Sequence, residues 1–498
     1  MKYSLGIDLG TTGVKALLVG TDGIVKSVGY ARYPLYTPQA QYAEQDPREW
    51  WQGMCDAIAQ ALRASQIAPA DILSVGFSGQ MHGTVMLDKD GNVLAPAIIH
   101  CDQRAYLEKQ EILDRIGIEK LGSYVQNQVH SGFQVTSLLW IRKNRPGIYD
   151  RIHKVLLPKD YLRYLLTGQI ASEITDAAST LLFDNVHKNW STEMLRTLDI
   201  SKDILPNPCH APHHLAGYVT PSAAEATGLC PGTPVAYGGG DQPMQAIGNG
   251  ILSPGCASIT LGTSGQIFIP TSLPVYDPRL RTHTFCHAPE NTWYVMGAVL
   301  NACLSINWFS EKILGTDDYQ NVHALASHAA PGSQGLLFMP YLTGERTPHM
   351  NEKARGGFVG LTLRHSIQDM SRALLEGIAF SMYEAIQPAY ELGVRLEKIL
   401  LAGGGVRSTV LRQILCDVFG QAMLISNVTE QAGLGAAMCG AVAIGECSSL
   451  EEACSRYVSQ VLTPVEPNPS VHEVYMQQFE LFRELYQQNE PVFNKMTL

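Results

Sequence analysis

The sequence has no disulfide or zinc framework and no segment suited to crossing a membrane. Its 11 cysteines lie singly, from Cys55 to Cys454, without a Cys-x-x-Cys pair, a pattern typical of reduced thiols in a cytoplasmic protein. No apolar run reaches the roughly 18 residues that a membrane-spanning helix needs. The first residues contain no apolar signal region. We therefore expect a cytoplasmic protein without a membrane partner.

Basic residues are too few for a nucleic-acid-binding surface to be expected. Lys and Arg together number 36 against 46 Asp and Glu, which gives a formal net charge of −10. Non-specific binding of nucleic acid draws its affinity from Lys and Arg that neutralise phosphates, so this composition argues against such a partner. With 498 residues, of which 45% are hydrophobic, the chain is predicted to form two or three globular domains.

Two familiar nucleotide-binding motifs are absent as well, because neither Gly-x4-Gly-Lys-Ser/Thr nor Gly-x-Gly-x-x-Gly occurs. The chain contains instead two similar Gly-Thr turns, I-D-L-G-T-T-G at 7–13 and I-T-L-G-T-S-G at 259–265. A glycine turn lets backbone N–H groups approach a phosphate, and Thr and Ser hydroxyls add donors. Either turn alone is typical of an ordinary hairpin. A copy at the start of each half predicts two similar domains that hold a polyphosphate between them.

The apolar pattern predicts an α/β architecture. Short β-rich runs joined by glycine turns predict an antiparallel meander of three strands, followed by a helix and a further strand. These elements are predicted over 3–8, 14–19, 24–30, 47–65 and 72–77.

The same pattern divides the chain into three parts. We predict an N-terminal domain over 1–250, which includes a helix-rich middle, and a C-terminal domain over 251–447. A helical extension follows over 448–498.

Glycine triplets follow two further apolar runs, at 238–240 and 403–405. A strand that ends in bare glycines exposes backbone at the edge where α/β sheets bind ligands, although a domain hinge is the alternative. The first triplet leads into Asp241, which is placed to act as a general base toward a substrate hydroxyl. Asp8 ends the first predicted strand beside a Gly-Thr turn, where a carboxylate suits Mg²⁺. For either Asp the alternative is a turn-forming residue that bonds its own backbone.

Polar residues that suit a sugar lie at 79–83 (G-Q-M-H-G), directly after the strand predicted over 72–77. Gln and His can donate to hydroxyls, and Met provides an adaptable apolar wall, although a lone His there is often structural. The segment 100–104 (H-C-D-Q-R) is equally polar, and its Asp102 also suits a helix cap. Three histidines at 210, 213 and 214 have no acidic or cysteine partners nearby, so no metal site is expected there.

These motifs resemble those of the FGGY family of carbohydrate kinases over essentially the full chain, and within it those of kinases of D-xylulose. The matching segments are G-I-D-L-G-T-T-G-V-K (6–15), G-Q-M-H-G (79–83), V-L-L-P-K-D-Y-L-R (155–163), G-G-G-D-Q (238–242), L-G-T-S-G (261–265), P-Y-L-T-G-E-R-T-P-H (340–349) and L-A-G-G-G-V-R-S (401–408). The resemblance implies two ribonuclease-H-like domains, as in actin and heat-shock ATPases, with a cleft between them. It also implies Mg²⁺ and ATP-dependent phosphorylation of a ketopentose, D-xylulose to D-xylulose 5-phosphate, and is compatible with a homodimer.

The resemblance assigns roles to individual positions. Asp241 matches the family's catalytic base and also contacts the sugar, and Asp8 matches a carboxylate that acts beside the metal and the phosphates. The remaining implied sugar contacts are Met81, His82, Asp102 and Arg104. The implied nucleotide contacts are Thr11, Thr12, Lys15, Gly262, Thr263, Gly403, Gly404 and Ser408.

Two departures from the pattern of D-xylulose kinases keep other acceptors open. His100-Cys101 replaces the usual Trp-Asn, and Thr136-Ser137 replaces Pro-Lys. Changes of hydrogen-bonding residues can move specificity, so ribulose, a rarer ketose or a polyol is the alternative acceptor. A nucleotide-driven binding module and a catalytically silent regulator are alternatives of another class. The segment 79–83 and Asp241 argue against the first, and the presence of both Asp8 and Asp241 argues against the second.

Overall fold

Residues 1–206, 209–426, 428–458 and 463–496 are described by a computed structural model of the chain, and they form two mixed α/β halves. The strands of the first half are Tyr3–Leu9 (β1), Gly13–Gly20 (β2), Val25–Arg32 (β3), Glu44–Gln45 (β4), Ile72–Gly79 (β5), Val85–Leu87 (β6), Ala97–Ile98 (β7), Lys154–Leu156 (β8), Ser172–Glu173 (β9), Phe183–Asp184 (β10), Asn189–Trp190 (β11), Cys209–His210 (β12), Leu215–Tyr218 (β13), Pro234–Ala236 (β14) and Gly239–Gly240 (β15). Its helices are Pro47–Ser65 (α1), Tyr106–Ile116 (α2), Ile118–Val125 (α3), Gln134–Asn144 (α4), Pro146–Tyr149 (α5), Pro158–Thr167 (α6), Ile174–Ala177 (α7), Thr192–Leu198 (α8), Pro221–Thr227 (α9) and Asp241–Gly248 (α10).

The second half contains fewer and longer elements. Its strands are Cys256–Leu261 (β16), Gly265–Thr271 (β17), His283–Cys286 (β18), Trp293–Val299 (β19), Leu337–Met339 (β20), Gly357–Val359 (β21), Lys398–Ala402 (β22), Met423–Ile425 (β23) and Thr463–Val465 (β24). Its helices are Cys303–Trp308 (α11), Gln320–Ser327 (α12), Ile367–Glu391 (α13), Thr409–Phe419 (α14), Gln431–Ala443 (α15), Leu450–Tyr457 (α16) and Pro469–Phe493 (α17).

The predicted N-terminal meander is confirmed. Strand β1 pairs antiparallel with β2, and β2 pairs antiparallel with β3. The predicted helix forms as α1, which begins with Pro47 after the cap Asp46, whose side chain accepts the Arg48 N–H at 3.0 Å. The predicted further strand is β5, which pairs parallel with β1.

The second half repeats this arrangement, as the duplicated Gly-Thr turn predicts. Strand β16 pairs antiparallel with β17 and parallel with β22, which is the relation that β1 has to β2 and β5. The strand order is β13-β14-β5-β1-β2-β3 in the first large sheet, with β15 beside β5, and β18-β19-β17-β16-β22-β23-β24 in the second. Each Gly-Thr turn therefore lies at the carboxyl end of a central strand.

Helix α15 comes from the second half of the chain but packs on the first sheet. A Cβ added to Gly6 of β1 would lie 2.0 Å from the Gly433 carbonyl, and one added to Gly76 of β5 would lie 1.8 Å from that of Ala436. Only glycine permits this approach of helix backbone to strand backbone. Helix α1 covers the opposite face, where a Cβ on Gly29 would lie 1.9 Å from the Ala57 carbonyl. The predicted domain bounds stay a prediction, but α15 ties the two halves together.

The predicted C-terminal extension contributes to the core of the second half. Strand β24 pairs with β23 and extends the second sheet. Helix α17 buries Tyr475, Phe479 and Phe482 in the same apolar cluster as α13 and α14. Among the described residues, no helix is both long and apolar enough to span a membrane.

Candidate active site between the two sheets

Strand register brings the two candidate carboxylates to one edge of the first sheet. Asp8 of β1 lies beside Ser78 of β5, and Gly239 of β15 lies on the other side of Ser78. Asp241 follows two residues later at the start of α10. Since β1, β5 and β15 run parallel, all three end at this edge, where α/β sheets bind ligands.

Asp8 is a partly buried carboxyl that a strand neighbour holds in place. The Ser78 hydroxyl donates to its Oδ1 at 2.8 Å. Burial raises the pKa of Asp8, while the Ser78 hydrogen bond and the charge of Lys15 oppose that rise. Lys15 is itself engaged, because its Nζ lies 2.7 Å from Glu430 Oε2 at the start of α15.

Asp241 has the protonation behaviour expected of a general base. Burial, and then the charge of Asp8, raise the pKa of Asp241 to about 7. A base acts best when its pKa lies near the working pH, because a substantial fraction is then deprotonated and still accepts a proton readily.

A short buried segment fixes both Asp241 and His82. The Gly240 N–H, which precedes Asp241, donates to Thr175 Oγ1 at 3.1 Å, and the Thr175 hydroxyl donates to Glu173 Oε1 at 2.9 Å. Four residues after Thr175, the Ser179 hydroxyl oxygen accepts the His82 N–H at 3.1 Å. These contacts fix the loop that carries Asp241 and the loop that carries His82 to the same helical turn.

That turn rests on a cluster of buried charges. Lys159 Nζ lies 2.7 Å from Asp160 and within 3.4 Å of Glu173 and Asp176, and all four side chains are fully buried. Burial raises the pKa of Glu173, an effect that the charge of Lys159 opposes. These four residues hold the turn of Thr175 and Ser179 in place but do not line the cavity next to Asp241.

A cavity of about 130 Å³, called here the sugar-sized cavity, lies between the two halves next to Asp241. Its first-half walls include Met81 and His82, which the sequence predicts as sugar contacts, and its second-half walls include Arg346. The complete lining is Met81, His82, His100, Phe133, Asp241, Gln242, Gln266, His283, Phe285, Met296, Ala298 and Arg346. Apolar rings and polar tips in one small cavity suit a polyhydroxylated ligand.

His82 presents a neutral ring to this cavity. Burial lowers the pKa of His82 to about 3, and the ring stacks on Phe133 with centroids 4.0 Å apart. Its Nδ1 lies 2.8 Å from the Ser179 carbonyl oxygen, which can only accept, so Nδ1 carries the proton. The other ring nitrogen, Nε2, is therefore left as an acceptor for a hydroxyl.

Asp102 and Arg104 do not line this cavity, although the resemblance implies sugar contacts for both. Arg104 Nη2 pairs with Asp102 Oδ2 at 2.7 Å, and Arg104 Nη1 pairs with Glu44 at 2.7 Å. The guanidinium also lies 3.7 Å from the ring centroid of Tyr42. In this structure the pair anchors the chain around β4, because both side chains are nearly fully buried against these partners, and their sugar contact stays a prediction.

Another cavity, of about 250 Å³, is called here the nucleotide-sized cavity. Four predicted nucleotide-binding residues line it: Gly262, Thr263, Gly404 and Ser408. A Cβ added to Gly404 would meet no atom within 4 Å, so this glycine leaves space open where a ligand can lie. Ser408 caps α14, and its Oγ lies 2.9 Å from His323 Nδ1. Gly403 lines a neighbouring cavity of about 400 Å³ and has a φ of +90°, which favours glycine.

The first Gly-Thr turn is held by hydrogen bonds, and its residues do not line the sugar-sized cavity or the nucleotide-sized cavity. Gly10 N–H donates to the Gly13 carbonyl at 3.0 Å, and the Gln45 amide donates to the Thr11 carbonyl at 2.7 Å. Thr12 is exposed. The turn lies directly after Asp8, so a phosphate held here would meet that carboxylate.

Sequence reasoning missed most of the second-half walls of the sugar-sized cavity. His283 and Phe285 come from β18, which carries no recognisable motif, and Gln266 of β17 lies one residue beyond the segment 261–265. Arg346 had a signal, because it lies in the segment 340–349 that matches the family. Tyr319 and His323 of the nucleotide-sized cavity carry no sequence signal.

The donor set fits a magnesium ion held chiefly by phosphates. Mg²⁺ is usually bound by one or two carboxylates together with waters and substrate phosphates. Asp8 is a partly buried carboxyl with one oxygen held by Ser78. Within the described ranges no cluster of three His, Cys, Asp or Glu side chains is arranged to hold a metal, so any metal here would depend on the nucleotide for most of its ligands.

Comparison with known proteins shows which family the chain matches. The model of the N-terminal domain of the FGGY family of carbohydrate kinases matches residues 3–248, and that of the C-terminal domain matches 257–444. A xylulose kinase of Bacillus subtilis is 35% identical over 486 residues, which cover 98% of this chain and 97% of the relative.

Two solved structures from Lactobacillus acidophilus align with the whole chain. A ligand-bound xylulose kinase superimposes with a TM-score of 0.95, and a gluconate kinase does so with 0.94; each is 26% identical and covers 100% of both chains. The expected two-domain fold with an interdomain cleft is thereby confirmed.

Proposed function

This chain belongs to the FGGY family of carbohydrate kinases, and on that premise we propose that it transfers the γ-phosphoryl group of ATP to the terminal hydroxyl of D-xylulose. The products are D-xylulose 5-phosphate and ADP. The observation that carries the proposal is Asp241, a partly buried carboxyl with a pKa of about 7 in the same cavity as Met81 and His82. The relative from B. subtilis is named a xylulose kinase, which supports this acceptor.

Asp241 is proposed as the base. Its carboxylate accepts the proton of the attacking hydroxyl while that oxygen forms the new bond to phosphorus and the bond to the ADP oxygen breaks. His82 Nε2 accepts a hydrogen bond from another hydroxyl and orients the sugar. General-base catalysis of this kind is worth about 10²–10⁴-fold in rate.

The nucleotide is proposed to lie in the cavity of Gly262, Thr263, Gly404 and Ser408, with its phosphates directed toward the two Gly-Thr turns. Gly403 adjoins this cavity, and Thr11, Thr12 and Lys15 are proposed to act from the first turn. When bound beside Asp8, Mg²⁺ would neutralise phosphate oxygens. We place the reaction in the cytoplasm, and a homodimer stays a prediction.

A panel of acceptors tests the proposed substrate. ADP release with Mg-ATP is measured for D-xylulose, D-ribulose, glycerol and D-gluconate, and kcat/KM is compared. We expect D-xylulose to give the highest value. A higher value for another acceptor would replace D-xylulose while leaving the kinase in place. Turnover that no acceptor stimulates above basal hydrolysis would contradict the kinase function itself.

A further inference from the structure

A second polar cavity adjoins the sugar-sized one. It has a volume of about 250 Å³ and shares two wall residues, His100 and Arg346, with the first cavity. Its own walls include Gln128, His130 and Glu345. Small-molecule sites usually reach at least about 300 Å³, and neither cavity does so alone, whereas the two together do.

Four buried polar atoms at this second cavity have no hydrogen-bond partner among the described residues. They are His100 Nδ1, Gln128 Oε1, His130 Nε2 and Glu345 Oε2. An unpartnered buried polar group costs about 1–3 kcal/mol, so four of them around one cavity indicate that a ligand or water satisfies them.

Glu345 is the most deeply placed of the four. Its side chain is only 2% exposed, and its Oε1 accepts the backbone N–H groups of Leu300 and Arg346 at 2.8 and 2.7 Å. Burial raises the pKa of Glu345 to about 8, so at neutral pH it is largely a carboxylic acid that can donate. Burial likewise lowers the pKa of His100 to about 4, and the charge of Arg346 adds to this, so that ring is neutral.

The chemistry of the second cavity suits neutral hydroxyl groups better than an anion. A carboxylic acid, neutral imidazoles and an amide carbonyl offer both donors and acceptors, which is what a chain of hydroxyls needs. Of the two cations, Lys109 is already paired with Glu352 at 2.9 Å, and Arg346 lies at the junction of the cavities.

The second cavity lies beyond His100 and Arg346 as seen from the base. Asp241 lines the first cavity and does not line the second, whereas His100 and Arg346 line both. An acceptor whose terminal hydroxyl lies at Asp241 would therefore extend past His100 and Arg346 into the second cavity.

We propose that the second cavity is an extension of the acceptor site, which binds additional hydroxyl-bearing carbons of neutral ketoses longer than five carbons. The enzyme thus phosphorylates six- or seven-carbon ketoses in addition to its five-carbon substrate. This inference rests on the proposed function, because it takes Asp241 to mark the phosphorylated end.

Kinetics with ketoses of increasing length test the extension. We compare kcat/KM for D-xylulose, D-fructose and D-sedoheptulose in the wild type, Gln128→Leu and Gln128→Trp. Gln128→Leu removes one hydrogen-bonding group, and the ratio of kcat/KM for the longer ketose to that for D-xylulose should fall about threefold to tenfold. Gln128→Trp fills the cavity and should lower that ratio further. Gln110→Leu is the matched control, because Gln110 bonds Asp114 on the outer face of α2, and it should leave the ratio unchanged.

Calorimetric binding of D-sedoheptulose without ATP separates the two claims. Failure of D-xylulose to react would contradict the proposed function, whereas binding of the longer ketose that Gln128→Trp abolishes would still support the extended site. If D-xylulose reacts and no longer ketose binds or reacts, the extension is overturned and water satisfies the unpartnered atoms. Loss of D-xylulose and longer-ketose activity in equal proportion in Gln128→Leu would also overturn it.

Discussion

Replacing Thr175 with valine should displace the catalytic base Asp241 and lower kcat, while leaving the packing around residue 175 nearly unchanged. Valine has nearly the shape of threonine, but it removes the hydroxyl that accepts the Gly240 N–H at 3.1 Å and donates to Glu173 at 2.9 Å. Glu173 keeps other partners, since it still accepts the backbone N–H groups of Thr175 and Asp176 at 2.7 and 2.8 Å. The Gly240 N–H, which is buried, would be left without a partner.

The expected size of the effect follows from that single orphaned group. An unpartnered buried N–H costs about 1–3 kcal/mol, which the loop can relieve only by moving Asp241 away from its position. Since about 1.4 kcal/mol corresponds to a tenfold change in rate, kcat should fall about tenfold to a hundredfold. The KM for ATP should change little, because the nucleotide cavity lies in the second half of the chain.

Two further variants make this prediction decisive. Thr175→Ser restores the hydroxyl and should recover most of kcat. Thr180→Val is the matched control, because the Thr180 hydroxyl also donates to one group and accepts from another, the Ala177 carbonyl and the Leu182 N–H, without touching the Asp241 loop. It should lower the melting temperature but not kcat. An unchanged kcat in Thr175→Val, or an equal loss of kcat in Thr180→Val, would refute the positioning role.

Three other predictions address the base, the interface and the buried charges. The pKa of Asp241 is raised to about 7 and the base must be deprotonated, so kcat/KM for the sugar should fall tenfold per pH unit below 7 and be level above it. Gly76→Ala places a Cβ 1.8 Å from the Ala436 carbonyl, which should lower the free energy of unfolding by about 1–3 kcal/mol in denaturant titrations. Lys159→Met leaves the buried carboxylates of Glu173 and Asp176 without their cation, while Asp160 keeps Arg163 at 3.1 Å, and it should cost about 3–5 kcal/mol. Those carboxylates would then bind protons more tightly in the folded state, so the melting temperature of this variant should rise as the pH falls toward 5.

Each of these predictions has a result that would contradict it. A flat pH profile down to pH 5 would show that Asp241 does not titrate as the base. Gly147→Ala, at an exposed helical glycine with no atom within 4 Å of the added Cβ, should be neutral, and an equal loss there would remove the packing argument for Gly76. A Lys159→Met protein as stable as the wild type at pH 8 would show that the cation does not compensate the carboxylates.

The strands and turns that carry the carboxylates could be predicted because their signals are local. Three local patterns each indicate the end of a strand: the run before Asp8, the glycines after it and the triplet before Asp241. All three interpretations match the structure. Parallel strands that end at one edge place such residues together without further information. This reasoning needs no knowledge of how the halves pack.

The parts that depend on packing between distant segments could not be predicted in this way. His283 and Phe285 reach the cavity only because the second sheet faces the first, and nothing in their local pattern shows this. Helix α15 has the composition of any small-residue helix, and its place on the first sheet is set by the close approach to Gly6 and Gly76. Asp102 and Arg104 match a sugar-contact pattern that does not show their buried pairing with each other at 2.7 Å, and their sugar contact stays a prediction.

Formation of D-xylulose 5-phosphate by the wild type and by Asp241→Asn tests the central claim most directly. Both proteins are given Mg-ATP and D-xylulose at pH 8, where the base of the wild type is deprotonated, and the sugar phosphate is measured by phosphorus NMR. We predict that the wild type forms the product and that Asp241→Asn forms it at least about a hundredfold more slowly, with KM values changed only a few-fold. Near-normal product formation by Asp241→Asn, or ATP hydrolysis by the wild type without any sugar phosphate, would contradict the account.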